Sequence, residues 1–140
     1  MKPYALVGIL LATVILTGCA LDPDIRFARR VFADLVRGRV SAQEKIDWAN
    51  FQAVGVDVGA TYLSFADGKQ RQDYQKVFIE NFARGFRQAQ GKTNAFVYWR
   101  IYEYTSELVV VACDYKGKDK TLLFTIAKDE QPKLVAIQWE

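Results

Sequence analysis

The sequence predicts an α+β domain in which helices come first and an antiparallel sheet follows. Apolar residues recur with helical spacing up to about residue 90, and after Asn94 they recur at every second position. The links between the later apolar segments are short, which is typical of hairpins. We therefore expect N-terminal helices, including a long one at about 69–90, packed on a four-stranded antiparallel meander at about 96–139.

The first predicted helix begins at Asp22-Pro23-Asp24. Asp22 is a good N-cap, Pro23 suits the first helical position, and Asp24 places negative charge where the helix dipole favours it. Gly38 then stands where a C-terminal cap is expected. The apolar residues at helical spacing are Ile25, Ala28, Phe32 and Leu35.

Two short helices are predicted next. Ser41 and Glu44 have the spacing of a capping box, which indicates a helix through about Asn50. Asp57 is placed to cap a helix at 58–64, although the glycine-containing stretch 51–59 also fits a loop or a strand.

Aromatic residues recur every fourth position along the long helix, at Tyr74, Phe78, Phe82 and Phe86. This seam predicts a helix that lies across the sheet with its aromatic side chains in the core.

The four strand candidates are 96–104, 108–115, 121–126 and 134–139. Alternation predicts core-facing sets in three of them, whereas the second is apolar on both faces, as an interior strand would be. The predicted core-facing sets are Val97, Trp99 and Ile101; Leu122, Phe124 and Ile126; and Val135, Ile137 and Trp139.

Composition narrows the possible functions. The 140 residues carry a formal net charge of +3 with the basic residues scattered among acids, so we expect no nucleic-acid partner. There is no histidine, which removes the commonest metal ligand and Ser-His or Cys-His catalysis. With only two cysteines, Cys19 and Cys113, no zinc site is assembled, and we expect neither a metal nor a cofactor.

The first residues resemble the precursor of a bacterial lipoprotein. An apolar run from Ala5 to Leu16 ends in Leu16-Thr17-Gly18-Cys19, which resembles a lipobox. The run is too short to span a bilayer, since about 20 residues are needed, but it suits a secretory signal. The alternative is an ordinary signal peptide in which Cys19 is incidental.

The resemblance implies a signal peptide at 1–18, a lipidated Cys19 with a short tether at 19–21, and one domain at 22–140. It also implies a membrane anchor of diacyl and palmitate type on the periplasmic side of the envelope. Ala20 follows the cysteine in place of the Asp that favours inner-membrane retention in such proteins, so the outer membrane is expected.

The order of elements over 22–140 resembles the nuclear-transport-factor-two-like or cystatin-like cone, in which a sheet wraps a long helix. Members of that superfamily are enzymes, ligand-binding proteins and adaptors, so the resemblance leaves the function open.

One face of the first strand carries Tyr98, Arg100, Tyr102 and Tyr104. Tyrosine and arginine are enriched at binding hot spots, so this face is a candidate partner or ligand surface. The alternative is a half-exposed sheet face, since tyrosine is also a good strand former. Cys113 is expected to be a small buried apolar residue.

Three functions remain open after these exclusions. The first is a non-catalytic binding or scaffolding module that meets another envelope protein. The second is a carrier of a small apolar ligand between helix and sheet. The third is an enzyme that uses a pocket carboxylate as a base, with candidates at Asp47, Asp57, Glu103 and Asp114.

Overall fold

A computed structural model describes residues 21–140 and confirms the α+β class, with helices followed by a largely antiparallel sheet. The predicted signal peptide and the lipid attachment at Cys19 lie outside the described residues. The predicted meander is confirmed for its four long strands, but the sheet has six strands instead of four.

Helix α1 spans Pro23–Val36 and begins as predicted. The Asp22 carboxylate accepts a hydrogen bond from the Asp24 N–H at 2.8 Å, and Pro23 occupies the first turn. At the other end, Gly38 has a φ of +66°, a value that glycine adopts without steric cost. The buried stripe of α1 includes Ala28, Val31, Phe32 and Leu35.

The predicted helix from Ser41 to about Asn50 is wrong, and two 3₁₀ helices take its place at Val40–Lys45 and Trp48–Asn50. Between them Ile46 is extended and forms an isolated parallel bridge with Leu134. The Asp47 N–H donates to the Leu134 carbonyl at 3.0 Å. Pairing with the sheet therefore interrupts the helix, and the capping box of Ser41 does not form.

The two additional strands are β1, Gln52–Ala53, and β2, Val56–Asp57. They form a hairpin through Val54 and Gly55, whose φ values of +47° and +82° match the primed turns that hairpins favour. β1 then pairs in parallel with the C-terminal strand, Pro132–Trp139. Two residues carry too little periodicity to be predicted as a strand.

Helix α2, Val58–Ser64, is capped as the sequence suggested, because the Asp57 carboxylate accepts from the Ala60 N–H at 3.0 Å. Helix α3 spans Gly68–Gln88, close to the predicted 69–90. Past its end, the Gly91 N–H returns to the Phe86 carbonyl at 2.9 Å, which satisfies an otherwise free helix carbonyl.

The long helix α3 does not lie across the sheet as predicted. Helix α1 contacts all four long strands, whereas α3 packs chiefly on α1, on α2 and on the first 3₁₀ helix. Its fully buried residues are Ile79 and Ala83, and its aromatic seam is half-buried against the core. Phe78, for example, meets Trp48 and Phe51 with ring centroids 5.6 Å apart in both cases.

The four long strands are β3, Phe96–Tyr104; β4, Leu108–Tyr115; β5, Lys120–Lys128; and β6, Pro132–Trp139. The sheet order is β2-β1-β6-β5-β4-β3, so β3 forms one edge. The core-facing set predicted for the third strand candidate lies in β5. Its members Leu122, Phe124 and Ile126 are all buried in the core, as expected.

Irregular pairing corrects two of the predicted core-facing sets. In β3 the register places Val97 opposite Asp114, on the outer face, while Phe96 is buried in the core. In β6 a register shift opposite Thr125 and Ile126 makes Leu134, not Val135, the fully buried residue. A bulge adds one residue and reverses the alternation, which a strict period of two does not anticipate.

Phe32 of α1 joins the helices to the sheet. Its ring lies 4.9 Å from Phe96, 6.0 Å from Phe86, 6.1 Å from Trp99 and 5.5 Å from Phe124, centroid to centroid. These partners belong to α3, β3 and β5. One side chain on α1 therefore contacts three other elements of the fold.

We predict that Phe32→Ala lowers the free energy of unfolding by about 3–5 kcal/mol, because it removes a buried ring and leaves a cavity among four aromatic residues. Urea denaturation monitored by circular dichroism measures this change. Phe82→Ala is the matched control, since Phe82 is only half-buried and contacts Phe78 alone among aromatic residues within 21–140. An equal loss in both variants would contradict the central role of Phe32.

Candidate functional site

The four predicted surface residues of β3 do not share one face. Two irregularities in the pairing of β3 with β4 separate them, one between Val97 and Arg100 and one between Ile101 and Glu103. Tyr98 lies in the first, with a φ of +57° and 76% of its surface exposed. The two irregularities together therefore divide the predicted Tyr98, Arg100, Tyr102 and Tyr104 surface into separate parts.

Arg100 and Tyr102 belong to the outer face of the sheet. The Arg100 guanidinium donates to the Asp114 carboxylate at 3.1 Å and to the Tyr98 carbonyl at 2.9 Å. The Tyr102 hydroxyl donates to the Glu140 carboxylate at 2.8 Å, and this bond, followed by the charge of Glu140, raises the pKa of Tyr102.

Tyr104 lies on the opposite side, toward the helices. It pairs with Val109, a core residue, and its hydroxyl accepts a hydrogen bond from Lys128 Nζ at 3.0 Å. The same ammonium lies 3.1 Å from the Asp24 carboxylate of α1. The bonds to Tyr104 and to Asp24 raise the pKa of Lys128. Tyr104 thus links the sheet to the start of α1 and is not part of the outer face.

The four carboxylates considered as catalytic bases lie apart. Asp57 caps α2, Asp47 accepts from the Asn50 amide at 2.9 Å, and Glu103 is exposed. Asp114 borders a shallow hollow, but hydrogen bonds from Arg100 and then Thr121 lower its pKa. A carboxylate base requires a raised pKa, so the environment of Asp114 opposes that role.

A groove lies between α1 and the first half of β3. Its volume is about 650 Å³. Phe32, Phe96 and Trp99 give it an aromatic floor, and Arg29 and Arg37 supply positive charge from α1. Apolar and charged groups are thus combined within a single depression.

The bulge at Tyr98 gives the groove its shape. Regular alternation would place Phe96 and Trp99 on opposite faces, but both pack on Phe32 because one extra residue lies between them. The Trp99 indole N–H donates to the Phe96 carbonyl at 3.0 Å, and the Arg29 guanidinium carbon lies 5.6 Å from the centre of the Trp99 ring. Tyr98 projects outward at the rim of the groove.

Of the predicted surface residues only Tyr98 lines this groove. Arg29, Arg37, Phe32 and Trp99 were not predicted as site residues, because α1 and β3 are about 60 positions apart in the sequence and no local pattern connects them. The spacing of the arginines along α1 was the one sequence feature that could have indicated these groove residues.

Comparison with protein-family models, with curated proteins and with solved structures gave no match for this chain. The lipoprotein and cone-fold resemblances therefore stay predictions. Over residues 21–140, no cluster of three or more His, Cys, Asp or Glu side chains is placed to hold a metal ion. No helix in the same part of the chain is long and apolar enough to cross a membrane.

We predict that Tyr98→Asn stabilises the domain relative to Tyr98→Val by about 1–2 kcal/mol. Asparagine tolerates the left-handed backbone, whereas a β-branched residue with positive φ is strained. Chemical denaturation of the two variants gives the difference directly. If the valine variant were the more stable, the positive φ assigned to residue 98 would be contradicted.

Cys113 is fully buried, as expected, and burial together with the neighbouring Asp114 charge raises the pKa of its thiol to about 12. We predict that at pH 8 only about one thiol in ten thousand is ionised, because pH 8 lies about four units below that pKa. A disulfide reagent should modify Cys113 rapidly in urea and very slowly in the folded protein. Rapid modification under native conditions would contradict this prediction.

Proposed function

We propose that this chain is a bacterial envelope lipoprotein anchored through Cys19, and that its domain is a non-catalytic binding module for another envelope protein. The groove between α1 and β3 carries the binding part of the proposal. The lipobox Leu16-Thr17-Gly18-Cys19 supports the anchor, and Ala20 favours the periplasmic side of the outer membrane.

The groove suits a segment of a protein partner that combines an apolar side chain with a carboxylate. Tryptophan, tyrosine and arginine dominate binding hot spots, and Trp99, Tyr98 and Arg29 lie together here. The Arg29 and Arg37 side chains are exposed and form no ion pair within residues 21–140, so their charge is free to meet an acidic group.

A carrier of a small apolar ligand is the second candidate. The volume of about 650 Å³ falls within the range of small-molecule sites, which is roughly 300–1,000 Å³. Two observations favour a protein segment instead. The aromatic residues of α3 contact other core rings, Phe78 with Trp48 and Phe51 and Phe86 with Phe96, and the groove is open on one side.

An enzyme is the third candidate and has the least support. The carboxylates proposed as bases do not meet at one site, and the pKa of Asp114 is lowered. The proposal therefore assigns no catalytic residue.

The test is site-specific photo-crosslinking in intact cells from residue 98, at the groove rim, with residue 72 on the exposed side of α3 as the matched control. We expect a discrete protein adduct from position 98, reduced about tenfold by Arg29→Glu because the substitution reverses a groove charge. In the Cys19→Ser variant the protein should leave the membrane fraction. An adduct of small-molecule mass would favour the carrier, and identical adducts from positions 72 and 98 would contradict the binding site.

A further inference from the structure

The exposed side of α1 carries an unusual concentration of arginine. Arg26, Arg29, Arg30 and Arg37 are all exposed. At about 100° per residue, Arg26, Arg30 and Arg37 fall within roughly 40° of arc around the helix axis. These three residues form the arginine face of α1, with Arg29 on its flank toward the groove.

The acidic residues of α1 do not neutralise this face, because each already has a structural partner. Asp22 caps the helix, and Asp24 pairs with Lys128 at 3.1 Å. Asp34 is 3% exposed and pairs with Lys45 at 2.6 Å and more loosely with Arg39 at 3.7 Å. Within residues 21–140 no arginine of the face forms a salt bridge. The positive charge of the face is therefore available to an external partner.

The position of the face limits what that partner is. α1 begins at Pro23, four residues after Cys19, and four residues span at most about 14 Å even when fully extended. If Cys19 carries lipid, α1 starts at the level of the headgroups. The surface that such a helix meets first is the bilayer itself.

We propose that the arginine face of α1 docks on the phosphate groups of an anionic phospholipid bilayer and fixes the orientation of the domain on the membrane. This inference rests on the proposed anchor at Cys19, which places α1 close to the headgroups. Each arginine close to an anionic surface is attracted to it, so the three together hold the domain down once the anchor has brought it there.

Docking in this way determines how the groove is presented. Of the α1 residues that line it, Ile25 and Phe32 are turned by more than about 100° around the helix axis from the centre of the arginine face, whereas Arg37 belongs to both surfaces. The groove then opens sideways along the membrane surface. Its partner is met at the level of the headgroups.

The experiment uses the lipid-bearing protein in vesicles of phosphatidylcholine alone or with about one-third phosphatidylglycerol. A cysteine introduced by Ala33→Cys, at a half-buried position between the arginine face and the groove, reports docking through its rate of reaction with a charged maleimide. We expect the rate to be at least about tenfold lower in the anionic vesicles, and about 0.5 M salt to remove most of that difference. Gln72→Cys, on the exposed side of α3, should react equally in both.

Arg26→Gln with Arg30→Gln tests the face without touching the groove, and it should abolish most of the protection. Lys69→Gln with Lys76→Gln removes the same charge from exposed positions on α3 and should leave the protection intact. Equal rates in the two vesicle types, or protection that survives loss of Arg26 and Arg30, would overturn the inference.

Flotation with neutral vesicles separates this inference from the proposed anchor. Protein that floats with neutral vesicles but shows no charge-dependent protection keeps the anchor and overturns the docking. Protein that floats only with anionic vesicles, and only while Arg26 and Arg30 are present, supports the docking and overturns the anchor.

Discussion

The packing of Phe32 is the constraint on which the rest of this domain depends. A single ring on α1 contacts aromatic residues of α3, β3 and β5 and so fixes the positions of the layers relative to one another. It also determines where the groove lies, because Phe96 and Trp99 form both part of this cluster and the floor of the groove. Stability and the candidate binding site therefore depend on the same contacts, and a substitution in the cluster affects both.

The acidic and basic side chains of α1 have different roles. Its acidic residues hold the fold together, through a cap at Asp22, a bond from Lys128 to Asp24 and a buried pair between Asp34 and Lys45. A buried carboxylate without a partner would be strongly destabilising, so Asp34 cannot leave Lys45 to bind a ligand. The arginines of α1 form no salt bridge within residues 21–140. The acidic side chains of this helix therefore serve internal contacts, and its basic side chains face solvent.

Local patterns predicted three of the four proposed helices and the four long strands, and contacts distant in sequence explain what they missed. Asp22 with Gly38, and the aromatic period of α3, define helices by themselves. The strands β1 and β2 have two residues each and exist only because β6 supplies a partner, so no local signal announces them. The bulge at Tyr98 moved Val97 outward, and the second irregularity, between Ile101 and Glu103, placed Tyr104 on the face opposite Arg100. The groove was not predictable because α1 and β3 meet only in the folded chain.

The parallel pairing of β1 with β6 has a consequence for the order of folding. It joins segments about 80 positions apart, and such long-range contacts slow folding because the loop must close before they form. β6 also receives the bridge from Ile46, so the segment that links α1 to α3 completes its pairing with the sheet only after the last strand has joined it. A chain still emerging from a ribosome therefore lacks both the β1–β6 pairing and the bridge from Ile46.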